Sequence, residues 1–303
     1  MQAILFGGTG FIGRNLAQRL AGIGYKITIV SRNPEKHTSE AFSDSGAITL
    51  VHLREDMTED IDGNDIVINL AGESLFGKRW TSGVKERLYK SRIETTRKIV
   101  HWMSNTRKKP GLFISSSAVG YYGDTGSRSV DEGASSGTGF LANICKDWEK
   151  AALDAEKDEI RVVIPRTGIV LGIDGGALAT MSPAFKWGLG ATIGPGSQYF
   201  PWIHMDDYCE SIIYAIGHKE FQGPFNASGP QPVTMNVFTR SLGKLMRRPA
   251  IFYIPAWFLK GVLGEASTML TQSSFVIPQK LTKSGFEFKY PELKMALKQI
   301  LAE

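Results

Sequence analysis

Gly7-Gly8-Thr9-Gly10-Phe11-Ile12-Gly13 follows the apolar run Ile4 to Phe6 and opens a segment in which Ile12, Leu16 and Leu20 recur at helical spacing. The stretch satisfies both G-x-x-G-x-x-G and G-x-G-x-x-G. Glycines let a backbone turn tightly and approach a diphosphate, while the free N–H groups at a helix start receive its negative charge. Gly24 stops the helix, and Lys26 to Val30 reads as the next strand. The glycine loop therefore sits inside a full β-α-β unit, the context that separates a dinucleotide cradle from a bare turn.

A site for NAD places Asp or Glu about 20 residues beyond the glycines, where it accepts from the ribose 2′-hydroxyl. Here that place reads Val30-Ser31-Arg32. No carboxylate is available, and a planar guanidinium beside a hydroxyl suits a 2′-phosphate. The expected cofactor is NADP(H).

Outward from this unit, Asn33-Pro34 reads as a cap with proline at the first helical position. Strands are expected at Ile48 to Val51, Ile66 to Leu70, Leu112 to Ser115 and Arg161 to Ile164, the last ending at Pro165. Helices are expected at Ser82 to Ser104 and Phe140 to Glu156. Regular alternation of strand and helix predicts an α/β fold of Rossmann type, a parallel sheet wound on both sides. Beyond residue 166 glycine-rich loops replace the alternation. The chain thus divides into a Rossmann domain over 1–165, with later strands drawn from about 166–230, and a smaller mixed substrate lobe over 166–303.

Composition narrows the function classes. Apolar residues make up 42% and charged residues 21%, and no apolar run reaches the roughly 18 to 20 residues of a membrane span. No membrane partner is expected. The N-terminus reads as a buried strand rather than a signal peptide, and two cysteines with five scattered histidines give neither a disulfide framework nor a metal site. A cytoplasmic protein fits. The net charge of +5 comes from cations in short groups such as Arg107-Lys108-Lys109 and Arg247-Arg248, which read as helix ends rather than a nucleic-acid surface.

With GGTGFIG, the strand end Ile66-Val67-Ile68-Asn69-Leu70-Ala71-Gly72-Glu73 and Ser115-Ser116-Ser117-Ala118, the chain resembles the extended short-chain dehydrogenase/reductase superfamily. Lys90-Ser91-Arg92-Ile93-Glu94-Thr95-Thr96, Pro165 to Gly172, Phe200-Pro201-Trp202-Ile203-His204 and Gly285 to Pro291 resemble the atypical "epimerase family protein" group. That group joins a Rossmann domain to a short C-terminal domain of unknown function, here about 248–300. The resemblance implies NADP(H) held by Gly7 to Gly13, Ser31, Arg32, Leu70, Ala71, Gly72, Glu73, Arg92, Ser115, Ser116 and Arg166.

Standard members of the superfamily carry a Tyr-x-x-x-Lys pair on the helix after the serine strand. The ammonium lowers the phenol's pKa so that it exchanges a proton while hydride moves, and a serine holds the same oxygen. The corresponding stretch here, Gly139 to Glu149, has no such pair: Phe140 pairs with Ile144, or Leu141 with Cys145. Dehydrogenase chemistry by that dyad is excluded.

Ser117 survives from the usual trio, and Tyr121, Tyr122 and His204 are the remaining proton-transfer candidates. Cys145 falls on a stripe with Leu141, Trp148 and Ala152 that reads as core or as the contact of a homodimer. Trp187, Tyr199, Trp202 and His204 furnish the lobe. Two functions follow: an NADP-dependent oxidoreductase or epimerase-like enzyme on a small hydroxyl or carbonyl substrate, or an NADP(H)-binding redox sensor without turnover.

Overall fold

The computed structural model describes residues 1–37, 42 and 46–302. The N-terminal part runs β1 (Gln2–Phe6), α1 (Phe11–Gly22), β2 (Lys26–Ser31), β3 (Ile48–His52), α2 (Thr58–Ile61), β4 (Ile66–Asn69), α3 (Ser82–Ser104), β5 (Leu112–Ser115), β6 (Ser117–Ala118), α4 (Phe140–Leu153) and β7 (Arg161–Thr167). It continues as β8 (Ile169–Leu171), α5 (Gly176–Lys186), β9 (Ala191–Ile193), β10 (Tyr199–Phe200), β11 (Trp202–His204), α6 (Met205–Gly217) and β12 (Gly223–Ala227). The last part is β13 (Val233–Thr234), α7 (Met235–Leu245), β14 (Phe252–Ile254), α8 (Ala256–Leu263), α9 (Thr268–Thr271), α10 (Gln279–Lys283) and α11 (Leu293–Ile300).

The main sheet has the order β12-β7-β5-β4-β1-β2-β3, every neighbour parallel, with β6 paired to the end of β7. Strand order reverses at β1 and β4, and a doubly wound sheet opens its ligand crevice at such a reversal, beyond the strands' carboxyl ends. Alternation of side chains sorts the two faces. Ala3 and Leu5 face α1 and α6 with Leu16, Leu20, Tyr208 and Ile212, whereas Ile4 and Phe6 face α3 and α4 with Ile99, Trp102 and Phe113. Burial on both faces explains why these strands are apolar throughout rather than alternating.

Two elements differ from the sequence reading. Asn33-Pro34 opens only a 3-10 turn, Pro34–Lys36, without a side-chain cap; instead the Asn33 N–H donates to Ser31 Oγ at 3.2 Å. β7 does not end at Pro165 but runs through it. β5 pairs with β7 as far as Val163 and β6 resumes at Arg166, so on that side the proline falls in a gap of the ladder, while β12 pairs with β7 straight through it.

A third core lies within the lobe, built by Leu171, Phe185, Trp202, Phe238 and Leu297. Gly172, Gly175 and Gly176, read from the sequence as open loop, are where the Phe11 ring packs. A Cβ on any of them would stand 2.6–3.0 Å from that ring. The first residue of α1 is thereby locked to the lobe.

Candidate functional site

The turn from β1 into α1 is built by contacts that exclude side chains. Gly7 has φ +80, and a Cβ there would meet the Leu70 carbonyl carbon at 2.7 Å and the Ala71 nitrogen at 2.8 Å. At Gly13 a Cβ would lie 2.4 Å from the Gly7 oxygen. Gly10 caps α1 without a side-chain bond, and the first turn carries no acid. Thr9, Gly10 and Ile12 keep solvent contact. A helix start with unpaired N–H groups, no competing carboxylate and a backbone seat too close for any Cβ fits a diphosphate.

At the end of β2, Ser31 is buried and Arg32 is exposed, and among the described residues no carboxylate pairs with Arg32. Beside them the end of β4 is held from behind. Asn69 accepts from the Ala71 N–H at 3.1 Å and donates to Thr96 at 2.9 Å, and Thr96 also accepts from the Trp148 indole at 2.9 Å. Neither Asn69 nor Thr96 was singled out as a site residue from the sequence.

Arg92 and Arg166, both expected at the cofactor, are engaged by groups within the chain. Arg92 is 8% exposed, donates to the Glu73 carbonyl at 2.9 Å and packs behind Gly72, so it supports the β4 loop through backbone. Burial lowers its pKa. Glu73 itself turns its carboxylate to Lys78 at 2.6 Å, which holds it below the usual range.

Arg166, 3% exposed, forks onto Glu149 with two bonds of 2.9 Å, donates to the Tyr122 hydroxyl at 2.8 Å and to the Glu132 carbonyl at 3.3 Å, and lies 3.6 Å from the centre of the Tyr121 ring. Burial opposes its charge, but the bonds to Glu149 and Tyr122 outweigh that and raise its pKa. Four of its five N–H donors are thus turned to partners within the protein.

The same network absorbs two catalytic candidates. Ser117 donates to Glu149 at 2.7 Å, buried. Tyr122 donates to Asn226 at 2.7 Å, and burial pushes its hydroxyl up to about 12, beyond proton exchange near neutrality. His204 is likewise committed. Its Nδ1 accepts from the Asp206 N–H at 3.0 Å and so caps α6, and its Nε2 bonds Gln299 at 2.7 Å. It borders a recess of about 110 Å³, room for a few waters and too small for a sugar. Tyr121 alone of the four keeps a half-buried ring whose hydroxyl has no hydrogen bond among the described residues.

On the opposite side of the serine strand, Ser116 is half-buried, with Oγ 3.5 Å from Thr167, and Thr167 lies 3.4 Å from the Tyr208 hydroxyl. Ser115 is fully buried and its hydroxyl has no hydrogen-bond partner among the described residues. Cys145 faces Ser117 and Ala118 from α4, its thiol pushed up to about 12 by burial and by Glu149. Of the stripe of Leu141, Cys145, Trp148 and Ala152, the last three are buried within the chain, at 3%, 6% and 1% exposure. Leu141, the first residue of that stripe, is half-buried.

Glu149 carried a readable sign in the sequence, whereas Glu132, in a loop, carried none. Glu149 follows Cys145 by one helical turn, and an acid on an apolar stripe needs a buried partner.

Comparison with known proteins agrees with this geometry. The NAD dependent epimerase/dehydratase family matches residues 3–228, and a domain of unknown function, DUF1731, matches residues 254–300. The chain is 37% identical to the chloroplastic epimerase family protein SDR39U1 homolog of Arabidopsis thaliana, over 99% of this chain and 87% of that protein. It is 34% identical to mouse epimerase family protein SDR39U1 over the whole of both. The crystal structure of human SDR39U1 (isoform 2) with NADPH superimposes with a TM-score of 0.87 at 29% identity, covering both chains fully. A Bacillus cereus UDP-glucuronic acid 4-epimerase shares the fold, with a TM-score of 0.83 at 17% identity. A cradle at the strand-order reversal, matched over 3–228 and by relatives alike from end to end, places this protein in the NAD-dependent epimerase/dehydratase family.

Proposed function

We propose that this protein binds NADP(H) in the crevice between β1 and β4, and that it is an atypical oxidoreductase or epimerase-like enzyme acting on a small hydroxyl- or carbonyl-bearing substrate. The observation that carries the cofactor is the Gly7 turn, where a Cβ would stand 2.7 Å from the Leu70 carbonyl carbon, under an uncapped and acid-free α1 start. The diphosphate rests on that start, and Arg32 with Ser31 closes on the 2′-phosphate. Support comes from the relative crystallised with NADPH. Bound NADPH supplies a hydride; the chain's residues position it and exclude water. Of the four proton-transfer candidates, Tyr121 is the one we retain.

A second reading, a redox sensor that binds without turnover, is favoured by the internal commitment of Ser117, Tyr122 and His204. Mixing the protein with NADPH and pools of aldehydes, ketones and sugar nucleotides separates the two. Loss of reduced-nicotinamide absorbance that Tyr121→Phe abolishes supports the enzyme, and its absence with every pool supports the sensor. Cofactor choice is tested by titrating NADPH and NADH. Arg32→Ala is expected to weaken NADPH roughly 10- to 100-fold and leave NADH unchanged. Equal affinity of the wild type for both cofactors overturns the 2′-phosphate assignment.

A further inference from the structure

We infer that the outer face of the lobe, built by β9, β14 and α8, docks on the surface of a bilayer containing anionic lipids. The side chains that carry this are large, apolar and uncovered. Trp187 is 83% exposed, Ile251 79%, Trp257 75%, Leu189 58%, Tyr253 57% and Val262 56%. The segments that carry them meet where β9 pairs with β14. Phe252 is in register with Ala191, its N–H donates to the Gly190 carbonyl at 3.2 Å, and α8 begins two residues after β14 ends. Their exposed surface sums to on the order of 1,000 Å², against about 300 to 600 Å² for the largest apolar patch of an ordinary monomer.

The helix argues for lipid in particular. α8 reads AWFLKGVL, apolar around its circumference apart from Lys260. Leu259 faces the protein, while Trp257, Phe258 and Val262 face outward. A helix apolar on every side is stable in a protein core or against hydrocarbon, and this one lies on the surface.

Charge selects the lipid. Residues 175–205 and 221–264 contain no Asp or Glu, yet they carry Lys186, Arg240, Lys244, Arg247, Arg248 and Lys260. Lys186, Arg247, Arg248 and Lys260 are exposed beside the rings, and none forms an ion pair among the described residues. The next acid along the chain, Glu265, is turned to Lys85. A second copy docked on this face by two-fold symmetry would bring cation against cation with no acid between them. Phosphate head groups answer the cations, and indole and phenol rings rest at the level of the head groups. The contact is with the surface only, since no described helix is long and apolar enough to cross a bilayer. The expectation of no membrane partner weighed spanning segments alone.

The test is sedimentation of the full chain with vesicles of phosphatidylcholine, and of phosphatidylcholine mixed with phosphatidylglycerol. Expected is partition onto the mixed vesicles only, with a blue shift of tryptophan fluorescence and at least about tenfold weakening at high salt. Trp257→Glu and Ile251→Glu, both at exposed positions, are expected to remove binding without changing the melting curve. The pair Arg247→Glu and Arg248→Glu is expected to weaken it tenfold or more. Absence of sedimentation, or equal partition onto both vesicles, overturns the inference. So does light scattering that shows a dimer in the wild type and a monomer in Trp257→Glu, which gives the face to a second copy.

Discussion

Glu149 sets the residue-scale logic of the site. It is 6% exposed, bonded at once to Ser117 and twice to Arg166. Such a pair adds little over an apolar replacement but is costly to break, because one charge is left buried alone. Glu149→Ala is therefore expected to cost about 3 to 5 kcal/mol, read as a fall in denaturant midpoint; a change under about 1 kcal/mol would show that water reaches Arg166. Tyr122, bonded to the same guanidinium, gives a pH signature. Its hydroxyl moves from the ordinary 10.0 up to about 12 by burial. The unfolded chain releases this proton first, so the contribution of the group is whole below pH 10 and is lost as pH rises toward 12, at roughly 1.4 kcal/mol per pH unit. Over that interval the wild type should lose stability faster than Tyr122→Phe, and parallel curves would place the hydroxyl in water.

At the scale of elements, the first β-α-β unit shows how much can be read from a sequence. β1, α1 and β2 are fixed by apolar periodicity and glycine spacing, both local, and α3 and β5 have the bounds their residues imply. What was not legible depends on where distant segments meet. Ser117 and Glu149 are 32 positions apart, and His204 and Gln299 are 95 apart, so a serine or histidine placed by motif as a catalytic candidate is turned inward by a partner that no local pattern announces. The same holds for Gly172 to Gly176, whose purpose is the Phe11 ring. The glycine loop yields a sharp expectation. In Gly13→Ala the new methyl meets the Gly7 oxygen and Gly8 Cα, both backbone, so the turn must open. A stability loss of about 1 to 3 kcal/mol should follow, with NADPH affinity falling by more than tenfold. Unchanged affinity at lowered stability would detach the turn from the cofactor.

For the molecule as a whole, the question is whether sheet and lobe unfold together. The segment after Tyr122 is a strap between them. The Thr125 N–H donates to the Ser273 carbonyl at 2.8 Å, Val130 to Phe275 at 2.9 Å, and Ile277 returns to Val130 at 3.0 Å. Glu132 completes it, accepting from the Asn226 N–H on β12 at 2.9 Å and from the Lys280 N–H at 3.2 Å, while its carbonyl receives Arg166. One side chain thus ties the sheet edge to the C-terminal segment, and Phe11 under the Gly172 to Gly176 loop ties α1 to the same lobe. With buried contacts on two sides, calorimetry is expected to show one transition whose calorimetric and van't Hoff enthalpies agree. Glu132→Ala removes an acceptor from two backbone N–H groups, so the C-terminal segment should open at lower temperature than the sheet and the transition should broaden or split. Saturating NADPH, which contacts the sheet crevice, should then raise the sheet's transition and leave the earlier one nearly in place. If both transitions rise equally, the strap is not what couples the two halves, and the burial of Leu281 in the sheet's core together with the Phe11 contact carries that role.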